Sequence, residues 1–170
     1  MSSQRARRVE FQEFSQRAKR VKFNENRVFF KAEGVQLPSW TQAAGIYAKS
    51  VMNELGLKNW ELSVLLCNNR YIKALNAQYR NKDEPTDILS FPLGEKSPSG
   101  RFMAGDIVLS LDALEENSLA FNVPVDEELR RLLVHGILHL CGRDHATNET
   151  GEPMLEAQEN ILANITEKVL

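Results

Sequence analysis

The chain has 170 residues, 42% of them hydrophobic and 26% charged, with a formal net charge of −2. That length and balance predict one soluble globular domain with room for a real core. No apolar run is long enough to span a bilayer or to serve as a signal-peptide core, and Cys67 and Cys141 are the only cysteines, which excludes a disulfide framework and points to a reducing, cytoplasmic compartment.

The charge is unevenly spread. Residues 1–34 carry nine Lys or Arg against four Glu, a net +5 that leaves −7 for the remainder. A basic arm dotted with phenylalanine either holds an RNA backbone or is a solvated terminus. Glu10 and Glu13 count against an organelle transit peptide, a class that avoids acids. Residues 1–20 read as a basic N-terminal tail, disordered or briefly helical, and residues 21–170 as the single domain.

Residues 21–33 (VKFNENRVFFKAE) supply a first strand, interrupted by the turn-prone Asn24-Glu25-Asn26. Ser39, after Leu37-Pro38, caps a helix that runs to about Leu55 and is closed by Gly56. Residues 60–67 (WELSVLLC) read as a buried strand. Asn68 or Asn69 caps a helix to about Tyr79, and Arg80 to Pro85 follow as a polar loop. Residues 86–91 (TDILSF) form a strand that Pro92 stops, and residues 93–104, rich in glycine and serine, read as an exposed loop. Asp106 opens a strand to Leu111, and residues 112–121 form a helix. Pro124 and Asp126 start a largely buried helix through Leu132, Leu133, Ile137, Leu138 and Leu140. A last helix runs from about Gly151, with Met154, Leu155, Gln158, Ile161, Leu162 and Ile165 inward. Trp40 and Trp60 end apolar segments and belong to the core. Strands mixed with helices predict an α+β fold, a small mixed β-sheet with helices packed on it.

All three histidines fall in one short stretch, His135-Gly-Ile-Leu-His139-Leu-Cys-Gly-Arg-Asp-His145. Positions i and i+4 of a helix lie about 40° apart around its axis, so His135 and His139 present two imidazoles to one point. Gly142 stands where helices commonly end in a left-handed residue, and the turn brings His145 back to the same place. Three imidazole nitrogens at about 2.0–2.1 Å leave a fourth tetrahedral position for water, the pattern of a catalytic zinc rather than a closed structural one. One zinc per chain is expected. Cys141 points about 200° away from His139 and reads as a small core residue, not a fourth ligand.

The spacing H-x-x-x-H-x-x-G-x-x-H is also that of the metzincin proteases, which place a glutamate directly after the first histidine as general base. Here that position is Gly136. HGILHLCGRDH more closely resembles the H-G-x-L-H-L-x-G-x-D-H signature of the YbeY family of bacterial metallo-endoribonucleases and rRNA maturation factors. The likeness extends to Leu75-Asn76-Ala77-Gln78-Tyr79-Arg80-Asn81-Lys82-Asp83-Glu84-Pro85-Thr86-Asp87-Ile88-Leu89-Ser90-Phe91-Pro92 and to Gly105-Asp106-Ile107. It covers roughly residues 37–165. Arg143 departs from it, standing where an aromatic or other bulky residue is expected.

The resemblance implies a zincin-like metal helix with His135, His139 and His145 as zinc ligands, and a catalytic Arg80. It implies cleavage of single-stranded RNA in 16S rRNA 3′-end maturation and ribosome quality control, with the small ribosomal subunit as the expected partner and no membrane. A guanidinium offers a planar, bidentate donor to the charge that gathers on a phosphodiester in its transition state. Read without the resemblance, Arg80 is a surface residue pairing with Asp83 or Glu84. Asp144 and Glu149 are the carboxylates nearest the metal motif, and Asp144 is expected to cap the loop or to accept from a ligand histidine. Thr86, Asp87 and Ser90 read as turn and strand residues. Two other readings stay open: a zincin-like metallopeptidase, and a ribosome assembly factor with structural zinc that cuts nothing.

Overall fold

Alternation decides the sheet. In β2 (Trp60–Cys67) the side chains of Leu62, Val64 and Leu66 point into one buried layer, while Leu65 and Cys67 point into another. In β4 (Phe102–Ser110) Ile107 and Leu109 join the first layer and Val108 the second. A period of two that is apolar on both sides demands cover on both faces. In this computed structural model, which describes residues 25–149 and 151–170, helices supply that cover. The expected tail, residues 1–20, lies outside the described residues.

The sheet has four strands in the order β1-β2-β4-β3, with β1 (Arg27–Glu33), β2 and β4 parallel and β3 (Ile88–Lys96) antiparallel at the edge. One face carries α1 (Thr41–Glu54) and α4 (Val125–Leu140) over the larger core, and the other carries α2 (Asn69–Arg80), whose Ile72 packs with Cys67, Leu89 and Val108. Helices α3 (Leu111–Phe121) and α5 (Pro153–Asn164) lean on α4. This is the α+β architecture expected, a mixed sheet with helices packed on it.

Several boundaries differ from expectation. Among the described residues strand β1 starts at Arg27, residues 21–24 of the expected strand lying outside them; Asn26 before it is buried, its side chain donating to Asn53 Oδ1 and the Leu57 carbonyl and accepting from the Trp60 N–H. Helix α1 begins at Thr41 with no side-chain cap, so Ser39 does not play that part. Asn68 does cap α2, accepting from the Tyr71 N–H. That helix includes Arg80 and ends at Asn81 in the left-handed conformation, so Arg80 occupies a helix terminus and not a loop. Ser110 caps α3, which takes Leu111 out of the preceding strand. Helix α5 begins at Pro153, where a missing N–H is harmless, rather than at Gly151. Trp40 and Trp60 pack on the core as expected.

The largest correction is at Pro92. Strand β3 continues through it to Lys96 and forms a hairpin with β4, so the segment expected to be a loop is mostly paired strand. Proline is tolerated because β3 is an edge strand, free to lack one donor. The register shifts between Pro92 and Glu95, opposite Gly105 at φ 133°, where a Cβ would stand 2.1 Å from the Phe91 carbonyl oxygen. Only glycine lets the two strands approach there, and the bulge puts Asp106 in mid-strand instead of at the strand's start.

Candidate metal centre

Helix α4 is positioned by its apolar side chains. Leu129, Leu133, Val134, Ile137 and Leu138 are essentially inaccessible, each worth about 1.5–3 kcal/mol relative to exposure. Gly136 brings the helix axis close to the sheet: a Cβ there would stand 2.7 Å from Ile107 Cδ1 and 3.0 Å from Ile88 Cδ1. At the other end of the helix, Asp126 ties down the chain terminus, accepting from the Val169 and Leu170 N–H groups at 2.6 and 2.9 Å and from Arg130. Burial pushes the Asp126 carboxyl up, but those donors outweigh it and hold the group below its ordinary value.

The helix ends as the glycine predicts. Gly142 sits at φ 79°, its N–H reaching the His139 carbonyl while the Arg143 N–H reaches that of Leu138. This paired closure turns the chain back over the helix end. His135, His139 and His145 then converge, with one nitrogen from each ring lying within 4.8 Å of the others.

Each ring is fixed through Nδ1. His139 Nδ1 lies 3.0 Å from the Arg143 carbonyl, His145 Nδ1 3.0 Å from the Thr147 carbonyl, and His135 Nδ1 2.9 Å from Gln158 Oε1. Carbonyl oxygens only accept, so Nδ1 carries the proton in His139 and His145. Gln158 is oriented by its own amide, which donates to Glu159, and this leaves Oε1 for His135. With Nδ1 taken, Nε2 is the nitrogen each neutral ring offers as a ligand. His135 Nε2 and His139 Nε2 face each other at 3.0 Å, two lone pairs that only a cation between them makes favourable. Tetrahedral ligands at about 2.0–2.1 Å from one ion stand about 3.3 Å apart, so the donor set fits a metal. Burial pushes the titration of His135 and His139 below histidine's ordinary value and keeps both rings neutral, the ligating form.

Of the two parts expected of Asp144, it takes the loop cap and not that of ring acceptor. It lies 3.9 Å from His139 Nδ1 and instead caps the loop, accepting from the His145 N–H. Cys141 packs half-buried against the core, as expected, and is outside the histidine cluster.

The histidines stand in a cavity of about 870 Å³ whose wall also includes Arg80, Lys82 and Arg143. Arg80 is exposed at the end of α2; of the two partners it would have as an ordinary surface residue, Asp83 pairs with Lys73 instead, and Glu84 forms no ion pair with it among the described residues. Thr86, Asp87, Ser90, Glu128 and Gln158 line the same cavity, and sequence reasoning passed over all five as site residues. Asn117 joins two of them, donating through Nδ2 to Asp87 Oδ2 at 3.1 Å and to Glu128 Oε1 at 3.0 Å. Glu128 is 2% exposed, and burial pushes its carboxyl up against the opposing pull of the Asn117 bond and Arg131. Its seven-residue offset from His135, nearly two whole turns of one helix face, was the available signal.

Comparison with known proteins agrees with this geometry. The sequence model of the family described as Endoribonuclease YbeY matches residues 29–166. A Treponema denticola protein named Endoribonuclease YbeY is 50% identical over 120 residues, spanning 68% of this chain and 77% of its own. A Borrelia duttonii protein of the same name is 50% identical over 133 residues, spanning 77% and 89%. The solution structure of a Thermotoga maritima protein superposes with a TM-score of 0.55 at 31% identity, covering 82% of this chain and 88% of that one. This chain belongs to the endoribonuclease YbeY family.

Proposed function

We propose that this protein is a zinc-dependent endoribonuclease that cuts single-stranded RNA, with His135, His139 and His145 holding one zinc ion and Arg80 binding the scissile phosphate. The observation that carries the reading is one cavity uniting three converging imidazoles with Arg80, Lys82 and Arg143. A bound zinc would supply an activated water near neutral pH and a Lewis acid for a phosphoryl oxygen. Around it, Gln158 and the carbonyls of Arg143 and Thr147 keep each ring oriented, and the three cations offset the charge of the RNA backbone. Arg80 has no ion pair among the described residues, so its guanidinium is free to form a bidentate pair with a phosphate.

The pathway we assign is that of the family: maturation of the 16S rRNA 3′ end and ribosome quality control, in the cytoplasm and on the small ribosomal subunit. No helix among the described residues is long and apolar enough to cross a membrane. The basic tail, residues 1–20, is proposed to add affinity for RNA.

Gly136 argues against the peptidase reading. The position where a metzincin carries its glutamate faces Ile88 and Ile107 across a gap too small for a Cβ, so a carboxylate there has no route to the cavity. An assembly factor with closed, structural zinc needs a fourth protein ligand, and only three residues group here among those described. The test is to incubate metal-loaded protein with single-stranded RNA and with casein, with and without chelator. RNA should be cut only in the metal-loaded sample and casein in neither. Metal-dependent casein hydrolysis beside intact RNA would reverse the assignment. His139→Ala should abolish stoichiometric zinc; a variant that binds zinc like the parent overturns the ligand set.

A further inference from the structure

The cavity is not uniform in charge. Arg80, Lys82, Arg131 and Arg143 line it, and so do Asp87, Glu128 and Asp144, with Asn117 joining Asp87 and Glu128 into one acidic pair. Phosphates favour the basic residues and are repelled by that pair, so a bound RNA strand is oriented, with its backbone toward the cations. What fills the acidic part must not be anionic, and a group that offers hydrogen-bond donors suits it.

Three observations describe that part. Glu128 Oε2 is buried and has no hydrogen-bond partner; its nearest cation is Arg131 Nε at 3.9 Å, and Arg131 is itself committed to Glu127 and Glu159. The other unpartnered buried side-chain atoms among the described residues belong to Tyr47, Asn59 and Asn76, none of which lines this cavity. Phe121 also lines the cavity yet is 64% exposed, a large apolar ring left in water at the mouth of a polar site. The two are connected: Phe121 lies one turn beyond Asn117 on α3, and Asn117 donates to Glu128.

We propose that Phe121 and Glu128 form a subsite for one unpaired nucleobase, stacked on the Phe121 ring with its exocyclic amino group donating to Glu128. The proposal rests on the RNA-cleaving reading above and deepens it. Glu128 lies two turns from His135 on α4, about 10.5 Å along the axis at 1.5 Å per residue. The base held there therefore belongs to a nucleotide close to the cut, within a few positions of it along the strand. A base must leave its helix to stack on a side chain, so the subsite selects against duplex. Stacking tolerates any base, while a carboxylate acceptor favours cytosine, with its amino group, over uracil, with a carbonyl at the same place.

Single-turnover cleavage of short unstructured RNAs by full-length, metal-loaded protein tests this, with half-saturating protein concentration and saturated rate read separately. Phe121→Ala should raise half-saturation by about 5- to 100-fold, the range for losing one base-stacking aromatic, with the larger effect on half-saturation. Phe121→Trp should restore it, and Phe121→Leu should not, because leucine keeps apolar area without a π face. The parent should prefer cytosine-rich over uracil-rich RNA, and Glu128→Gln should erase or invert that preference by presenting an amide donor. Replacing each 2′-hydroxyl by hydrogen separates the other nucleoside donor: a Glu128→Gln effect that follows the sugar and not the base overturns the base assignment. If parent and Phe121→Ala saturate alike while Arg80→Ala is impaired, the subsite is wrong and the nuclease reading stands. If the parent cuts no RNA, the nuclease reading fails and the subsite falls with it.

Discussion

The cavity has a wall and a rim, and they are built differently. The wall is helix α4 and the sheet beneath it, where Gly136, Leu133 and Ile137 are buried and His135 and His139 inherit their directions from packed neighbours. The rim is the end of α2, the end of α3 and the loop after Gly142, where Arg80, Phe121, Arg143 and Asp144 are exposed. Burial locks a side chain in one rotamer, whereas an exposed one is held only by what it binds. Changes in the wall should therefore disturb fold and metal together, and changes at the rim should disturb reaction or binding alone.

Gly136→Glu should break the wall outright. It forces a side chain into the gap before Ile107 and buries an unpaired charge, a loss of about 3–5 kcal/mol or more by thermal or urea unfolding. Gly136→Ala isolates the steric part and should cost about 1–3 kcal/mol. If Gly136→Glu melts with the parent and cleaves peptides, the contrast between wall and rim collapses.

At the rim, Arg80→Ala should melt like the parent and keep its zinc, yet cleave about 10²–10³-fold more slowly, about 3–4 kcal/mol of transition-state stabilisation. Arg80→Lys should recover only part, lacking the planar fork. Metal content beside single-turnover rates checks this, and parental cleavage by Arg80→Ala returns Arg80 to an ordinary surface residue.

Gln158→Leu sharpens the wall's definition. It removes the acceptor that fixes the His135 ring and should weaken zinc binding about 10–100-fold in chelator competition. Unchanged affinity would mean that packing alone orients the ring. Asp126 should show the wall's dependence on pH. Its carboxyl is held below its ordinary value of 3.8, so its stabilising effect is complete above that value and is lost as pH falls through the lower folded one. Asp126→Asn should flatten the acid limb of a stability–pH curve, and an unaltered limb would refute the clamp. The smallest effect belongs to the tail: deleting residues 1–20 should leave the saturated cleavage rate alone and lower the salt dependence of RNA binding. An identical salt slope would make the tail a solvated terminus.

The metal-ligand spacing was far more legible in the sequence than the rest of the cavity. His135, His139 and Gly142 follow from helical periodicity and one backbone conformation, both local rules, and the structure brings them together as the spacing requires. Asp87, just before β3, and Gln158 on α5 were missed because they join the site only through tertiary packing, whereas Glu128 shares a helix face with His135 and its offset went unread. Pro92 misled for a related reason. A proline forbids a central strand but not an edge strand, and no local signal says that β3 lies last in the sheet. The partner of the His139 ring was left open in the sequence, because a backbone carbonyl, that of Arg143, carries no mark there.

The order of the elements along the chain has a consequence for synthesis. All four strands are complete by Ser110, whereas the three histidines and the glutamine that orients one of them lie between 135 and 158. Chains are made from the N-terminus at about 5–20 residues per second, so the strand residues are synthesised several seconds before the last residues of the cavity. A nascent chain thus carries the strand sequences, and the basic arm ahead of them, before it holds any of the three imidazoles. The group of three imidazoles is complete only when the chain is almost finished.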